Sequence, residues 1–155
     1  MYGEAVAAYE SSTVSVTSQS TSKLMLLAVN GTLMRGLALN PNMQAVGAVF
    51  VSEAQTAPVY RLWSIQDAYP GMLRASSGGA AIWLELWEVT AAGLVEILSR
   101  EPPGLSMGWV ALADGRQVLG VLAEAMAVET QREITTFGGW RAYCAAQAPS
   151  GGPAT

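Results

Sequence analysis

The chain has 155 residues, a formal charge of −4, 51% hydrophobic residues, no histidine and one cysteine. This length and apolar content suit a single domain with a real core, and an acidic balance without a basic stripe excludes a nucleic-acid face or an anionic membrane surface. The missing histidine excludes a Ser-His-Asp or Cys-His nucleophile and argues against zinc, so acid–base chemistry falls to carboxylates, tyrosines, Lys23, backbone amides or water.

No uncharged run reaches the ~20 residues of a membrane span. The N-terminus lacks the basic and apolar regions of a signal peptide, so a cytoplasmic setting is expected. Residues 11–22 read SSTVSVTSQSTS, the composition of a linker or disordered arm. The alternative is an edge strand, since Val14 and Val16 alternate with hydroxyl residues. We expect residues 1–22 to be that arm, 23–147 the folded domain and 148–155 a loose tail.

Residues 24–29 (LMLLAV) form a short apolar run that suits a buried strand. Asn30-Gly31 follows as turn chemistry, since both residues tolerate positive φ. Thr32 is placed to cap a helix running toward Leu39. Such a loop leaves main-chain N–H groups free to meet a carboxylate, a carbonyl oxygen or a phosphate. Its plainer reading is an ordinary strand-to-helix turn.

Asn40-Pro41-Asn42 marks a break, and residues 45–53 read as a strand. Residues 59–65 alternate, with Tyr60, Leu62 and Ser64 on one face. Residues 66–71 form a loop ending in Tyr69-Pro70-Gly71, and 72–75 a short strand. After the flexible SSGGAA of 76–81, residues 82–89 (IWLELWEV) give the strongest strand pattern, with Glu85 between Trp83 and Trp87. Thr90 caps a helix over 91–99, whose stripe is Leu94, Val95, Ile97 and Leu98. Asp114-Gly115 turns a hairpin over 107–122. Residues 123–133 are weakly helical, and Thr135 or Thr136 caps a last helix over 138–147. Trp83, Trp87, Trp109 and Trp140 read as core, and Cys144 as buried and inert. The element order predicts an α+β fold with a curled, mainly antiparallel sheet or small barrel.

Several segments together carry a resemblance. Asn30-Gly31-Thr32-Leu33 resembles the YG(S/T)L loop of the gamma-glutamylcyclotransferase-like family, and ELWEV at 85–89 resembles its GELYxV strand. The pattern is similar to the C-terminal domain of allophanate hydrolase through TAPVYRLW (56–63), PGML (70–73), GGAAI (78–82), PGLSMG (103–108), LADGRQV (112–118) and ITTFGGWRAY (134–143). The resemblance spans about residues 24–143. It implies a mainly antiparallel β-barrel flanked by helices, with a pocket at the 30–33 loop.

By the same resemblance, the chain binds a small carboxylated or amide compound, with a decarboxylase or accessory role in urea and allophanate nitrogen metabolism. A gamma-glutamylcyclotransferase activity and a non-catalytic assembly role with an amidase are the alternatives. The implied ligand-binding residues are Asn30, Gly31, Thr32, Leu33, Tyr60, Pro70 and Gly71. The catalytic candidates are Glu85 and Glu101, the latter standing nearest to the family's acid/base glutamate. Asn30 occupies the position where cyclotransferases usually carry tyrosine. Glu85 reads either as a pocket carboxylate whose pKa burial raises or as a rim residue paired to Arg61 or Arg74. Glu101 reads either as that acid/base or as a solvated helix-end residue. No cofactor and no metal are expected. The expected partners are the small ligand, an amidase and a second copy of the chain.

Overall fold

The computed structural model describes residues 23–149. The Ser/Thr-rich arm expected at 1–22 and most of the tail expected at 148–155 lie outside the described residues. Among the described residues, eight strands form two sheets. Strands β1 (Leu24–Val29), β2 (Val49–Gln55), β5 (Trp83–Thr90), β6 (Leu105–Ala111) and β7 (Gln117–Ala123) make a five-stranded sheet in the order β2-β5-β1-β7-β6. Strands β3 (Tyr60–Ile65), β4 (Tyr69–Arg74) and β8 (Arg132–Glu133) make a smaller sheet in the order β4-β3-β8. All neighbours are antiparallel except β1 and β7.

The α+β class is as expected, but the larger sheet does not close into a barrel. Its edge strands β2 and β6 approach only beyond their ends, where Thr56 bridges Leu112 and Ala113 N–H donates to Gln55 O at 2.9 Å. The two sheets face each other across the core. Tyr60 of β3 reaches Ala111 of β6 through its phenol, and Leu27, Val29, Leu62, Leu86, Val110 and Ile134 are all fully enclosed.

Helix α1 (Asn40–Ala45) begins at the Asn-Pro pair read as a break, because proline suits the first turn of a helix. The following strand therefore starts at Val49 rather than Ala45. Helix α2 (Ala91–Ser99) is capped as predicted, Gly93 N–H donating to Thr90 Oγ1 at 3.0 Å. It buries Gly93 and Ile97 and leaves Val95 exposed. The hairpin turns at Asp114-Gly115 as expected. Helix α3 (Ala125–Val128) is a single turn, and β8 uses the rest of the segment read as weakly helical. Helix α4 (Trp140–Gln147) lacks a side-chain cap, since Thr135 sits in a preceding 3-10 turn and Gly139 occupies the cap position.

Trp87 and Trp140 are core, whereas Trp83 and Trp109 are exposed. Alternation along a strand does not say which face another layer covers. Cys144 is exposed as well, although partial burial near Asp67 pushes its thiol upward. Among the described residues, no helix is long and apolar enough to cross a membrane.

Candidate functional site

Strand β1 delivers the chain into the loop at Asn30. The Asn30 side chain turns inward and its Nδ2 donates to Val121 O at 3.0 Å, tying the loop to β7. The helix expected after Thr32 does not form. Met34 N–H donates to Gly31 O at 3.0 Å, Leu39 N–H to Thr32 O at 2.9 Å, and Asn40 Nδ2 to Leu33 O at 2.9 Å. Gly36 takes a positive φ of 76° between them, so the segment folds as successive turns.

These bonds use the loop's carbonyl oxygens. The N–H groups of Gly31, Thr32 and Leu33 find no acceptor among the described residues. Gly31 itself is not at positive φ, so the turn-chemistry argument for a glycine there is replaced by a packing one. A Cβ at Gly31 would lie 2.6 Å from Cδ and 2.7 Å from Cγ of Pro70, and only glycine lets β4 approach the loop this closely.

Beside the loop is a hollow of about 20 Å³, lined by Gly31, Thr32, Leu33, Tyr69, Pro70 and Glu101 among others. This is space for one water or one ligand oxygen. Glu101 arrives from the end of α2, where its N–H donates to Leu98 O at 3.1 Å. Burial pushes the pKa of its carboxyl upward. Glu101 is therefore a wall of the hollow rather than a solvated helix end. Tyr69 is a wall residue that the sequence reading assigned to an ordinary loop. The signal was its place before Pro70, in a strand that pairs Tyr69 with Ile65.

Three expected site residues lie elsewhere. Tyr60 is fully buried and its phenol oxygen accepts Ala111 N–H at 2.9 Å, so it packs between the sheets and does not line the loop hollow. Gly71 faces Ile65, Ala123 and Val128, away from the hollow. Glu85 belongs to a second hollow of about 210 Å³, lined also by Met34, Glu53, Trp83, Trp140 and Arg141.

Glu85 is only 1% exposed. It accepts Arg35 N–H at 2.9 Å, Arg35 Nε at 3.0 Å, Arg141 Nη2 at 3.1 Å and Trp87 Nε1 at 3.1 Å. Burial alone would raise its pKa, but these donors outweigh burial and hold the carboxyl below its ordinary value. The expected raised pKa is thus reversed, and the partners are not Arg61 or Arg74. Arg61 is engaged with Glu133, and the Arg74 guanidinium lies 5.8 Å from the Tyr60 ring.

The site is thus three adjacent main-chain donors beside a carboxyl whose pKa burial raises. Such an arrangement can bind a carbonyl or carboxylate oxygen, stabilise charge that develops on it, and move one proton.

The chain is similar to known proteins. Residues 25–145 match the family described as the allophanate hydrolase C-terminal domain. Urea amidolyase of Saccharomyces cerevisiae is 29% identical over 124 residues, which is 76% of this chain but 7% of the yeast protein. The chain thus spans a small fraction of the curated relatives it matches.

Among solved structures, c4763, a uropathogenic E. coli-specific protein, is 54% identical with a TM-score of 0.78. That match covers 79% of this chain and 97% of that one. Kluyveromyces lactis allophanate hydrolase is 28% identical with a TM-score of 0.76, over 84% of this chain and 22% of that one. An aig2-like protein of Mus musculus, at 20% identity and a TM-score of 0.57 over 84% of this chain and 91% of that one, shares the fold. The chain belongs to the allophanate hydrolase C-terminal domain family.

Proposed function

We propose that the chain binds a small carboxylated or amide compound at the loop of Asn30, Gly31, Thr32 and Leu33. One oxygen of the ligand seats in the hollow, and the rest of the molecule extends toward solvent. The observation that carries this reading is the row of three N–H groups without an acceptor among the described residues, beside Glu101. The amides hold the ligand oxygen, and the Glu101 carboxyl donates to it in its protonated form. Family membership supports a role in urea and allophanate nitrogen metabolism, as a decarboxylation or an accessory step. In a decarboxylation the electron pair of the breaking bond stays on the product as carbon dioxide leaves, and Glu101 supplies the proton the product takes up.

A titration of ¹⁵N-labelled protein with malonate tests the binding. The expected result is a saturable shift of the Gly31, Thr32 and Leu33 amide signals at millimolar malonate. Absence of any shift at those three signals, with the rest of the spectrum also unmoved, refutes the reading.

Docking to an amidase or to a second copy of the chain is the second reading. One observation favours it: the matching part of Kluyveromyces lactis allophanate hydrolase is 22% of that chain, so there the domain sits beside others. Co-purification with an amidase domain and light scattering test it, and a monomer that retains no partner counts against it.

A further inference from the structure

Three of the sequence segments that carry the family resemblance converge on one buried carboxylate. Arg35 follows directly on the NGTLM loop, Glu85 and Trp87 come from β5, and Arg141 comes from FGGWR at the start of α4. The last segment is delivered by close packing. Trp83 N–H donates to Gly138 O at 2.9 Å, Gly138 takes a positive φ of 76°, and a Cβ on Gly139 would lie 3.3 Å from Trp83 Cβ.

The result grips the peptide groups on both sides of one residue. Arg35 N–H donates to Glu85 Oε1 at 2.9 Å, and Arg35 O accepts from Arg141 Nη2 at 2.6 Å. Glu85 and Arg141 are themselves joined at 3.1 Å. Trp87 Nε1 fixes the carboxylate from the same strand. Between Met34 and Leu39, the other main-chain bonds, such as Leu37 N–H to Met34 O and Asn40 N–H to Leu37 O, stay within the successive turns. Among the described residues, the hydrogen bonds from this stretch to the sheet and to α4 all come from Arg35, while Met34, Leu37 and Leu39 pack against the core.

We propose that Glu85, together with Arg141, is the positioning residue of the loop site: by clamping the peptide groups of Arg35 it fixes the turn that aims the Gly31, Thr32 and Leu33 amides. Glu85 does not touch the ligand. It lies in the other hollow, which Met34 also lines, while Leu33 faces the loop hollow. The proposal rests on the loop being the binding site, but its own mechanics do not depend on a ligand.

The test compares Glu85→Gln, Arg141→Lys and Arg35→Ala. In Glu85→Gln the new side chain keeps an acceptor oxygen for Arg35 N–H and Trp87 Nε1, but its amide N–H₂ opposes the donors of Arg35 Nε and Arg141 Nη2. Arg35→Ala removes only side-chain bonds and leaves both clamped peptide groups. The first readout is hydrogen exchange of Met34 and Leu39 N–H, whose acceptors are Gly31 O and Thr32 O, against core amides such as Leu27. The second is malonate affinity.

Glu85→Gln is expected to speed exchange at Met34 and Leu39 at least tenfold beyond any change at Leu27, and to weaken malonate at least tenfold. Arg35→Ala is expected to do distinctly less. Uniform acceleration at all amides, or loop exchange equal to wild type in Glu85→Gln, overturns the proposal and leaves Glu85 a stability residue. Equal malonate affinity in wild type and Glu85→Gln also overturns it while the binding reading stands. Loop-specific acceleration without malonate binding in wild type supports the clamp and removes the ligand reading. If Glu85→Gln does not fold, Arg141→Lys carries the same comparison.

Discussion

Gly31→Ala tests the packing that shapes the candidate site. The added Cβ would sit 2.6 and 2.7 Å from two ring carbons of Pro70. Ordinary carbon–carbon contacts are about 3.5–4.0 Å, so the overlap is about 1 Å at each atom. Neither side yields easily. Pro70 is a stiff ring paired with Ser64 inside β4, and the loop is tied by Asn30 to Val121. Overpacking of this kind costs about 1–3 kcal/mol. Because Gly31 is not at positive φ, alanine returns about 0.4–1 kcal/mol by restricting the unfolded chain.

The net loss is about 1–2 kcal/mol, a fall of roughly 2–8 °C in Tm for a domain of this size. Thermal melting by circular dichroism measures it. Pro70→Ala in the same chain should relieve the clash, giving a favourable coupling of about 1 kcal/mol in a double-mutant cycle. A Gly31→Ala protein as stable as wild type, or a double variant without coupling, refutes the claim that close approach is why glycine stands there.

Glu101→Gln should shift stability with a definite pH sign. Burial raises the folded-state pKa of Glu101, so its contribution is fully present below the unfolded-state pKa and is lost as pH rises through the folded one. The glutamine variant should therefore gain Tm relative to wild type at pH 7 and not at pH 3, and equal changes at both contradict the burial argument. Tyr60→Phe leaves Ala111 N–H buried without its acceptor and should cost about 1–3 kcal/mol by denaturant melting. Its malonate-induced shifts should match wild type, and their loss would return Tyr60 to the site. Trp87→Ala should cost about 3–5 kcal/mol and Trp109→Ala within about 0.5 kcal/mol, because only the first indole is enclosed. Similar melting temperatures for the two variants would contradict that assignment.

Local chemistry made much of the fold legible. The Thr90 cap, the alternation through β5 and the Asp-Gly turn of the β6–β7 hairpin each depend on neighbours a few residues apart. Asn30-Gly31 also points to free N–H groups in the loop, but on the ground of a strand-to-helix turn that does not form. Glu101 entered as a candidate through family likeness alone, since its wall position depends on how α2 meets β1 and β4. Tyr60 shows the opposite case: a tyrosine in an alternating strand looks the same whether its phenol meets a ligand or a main-chain N–H 51 residues away. Glu85 was misread for a related reason. Its arginines lie 50 and 56 residues distant, and no local pattern links them.

By itself, the sequence determined the α+β class, the Asp114-Gly115 hairpin turn and the chemistry available, because periodicity, caps, turns and the absence of histidine are properties of short stretches or totals. Tertiary structure alone decided which carboxylate faces the loop and which is locked in an ion cluster. It decided too that Gly31 serves a close approach to Pro70. The physical reason is that pKa, burial and steric room are set by atoms brought together across the fold, and these act through distances that chain spacing does not encode.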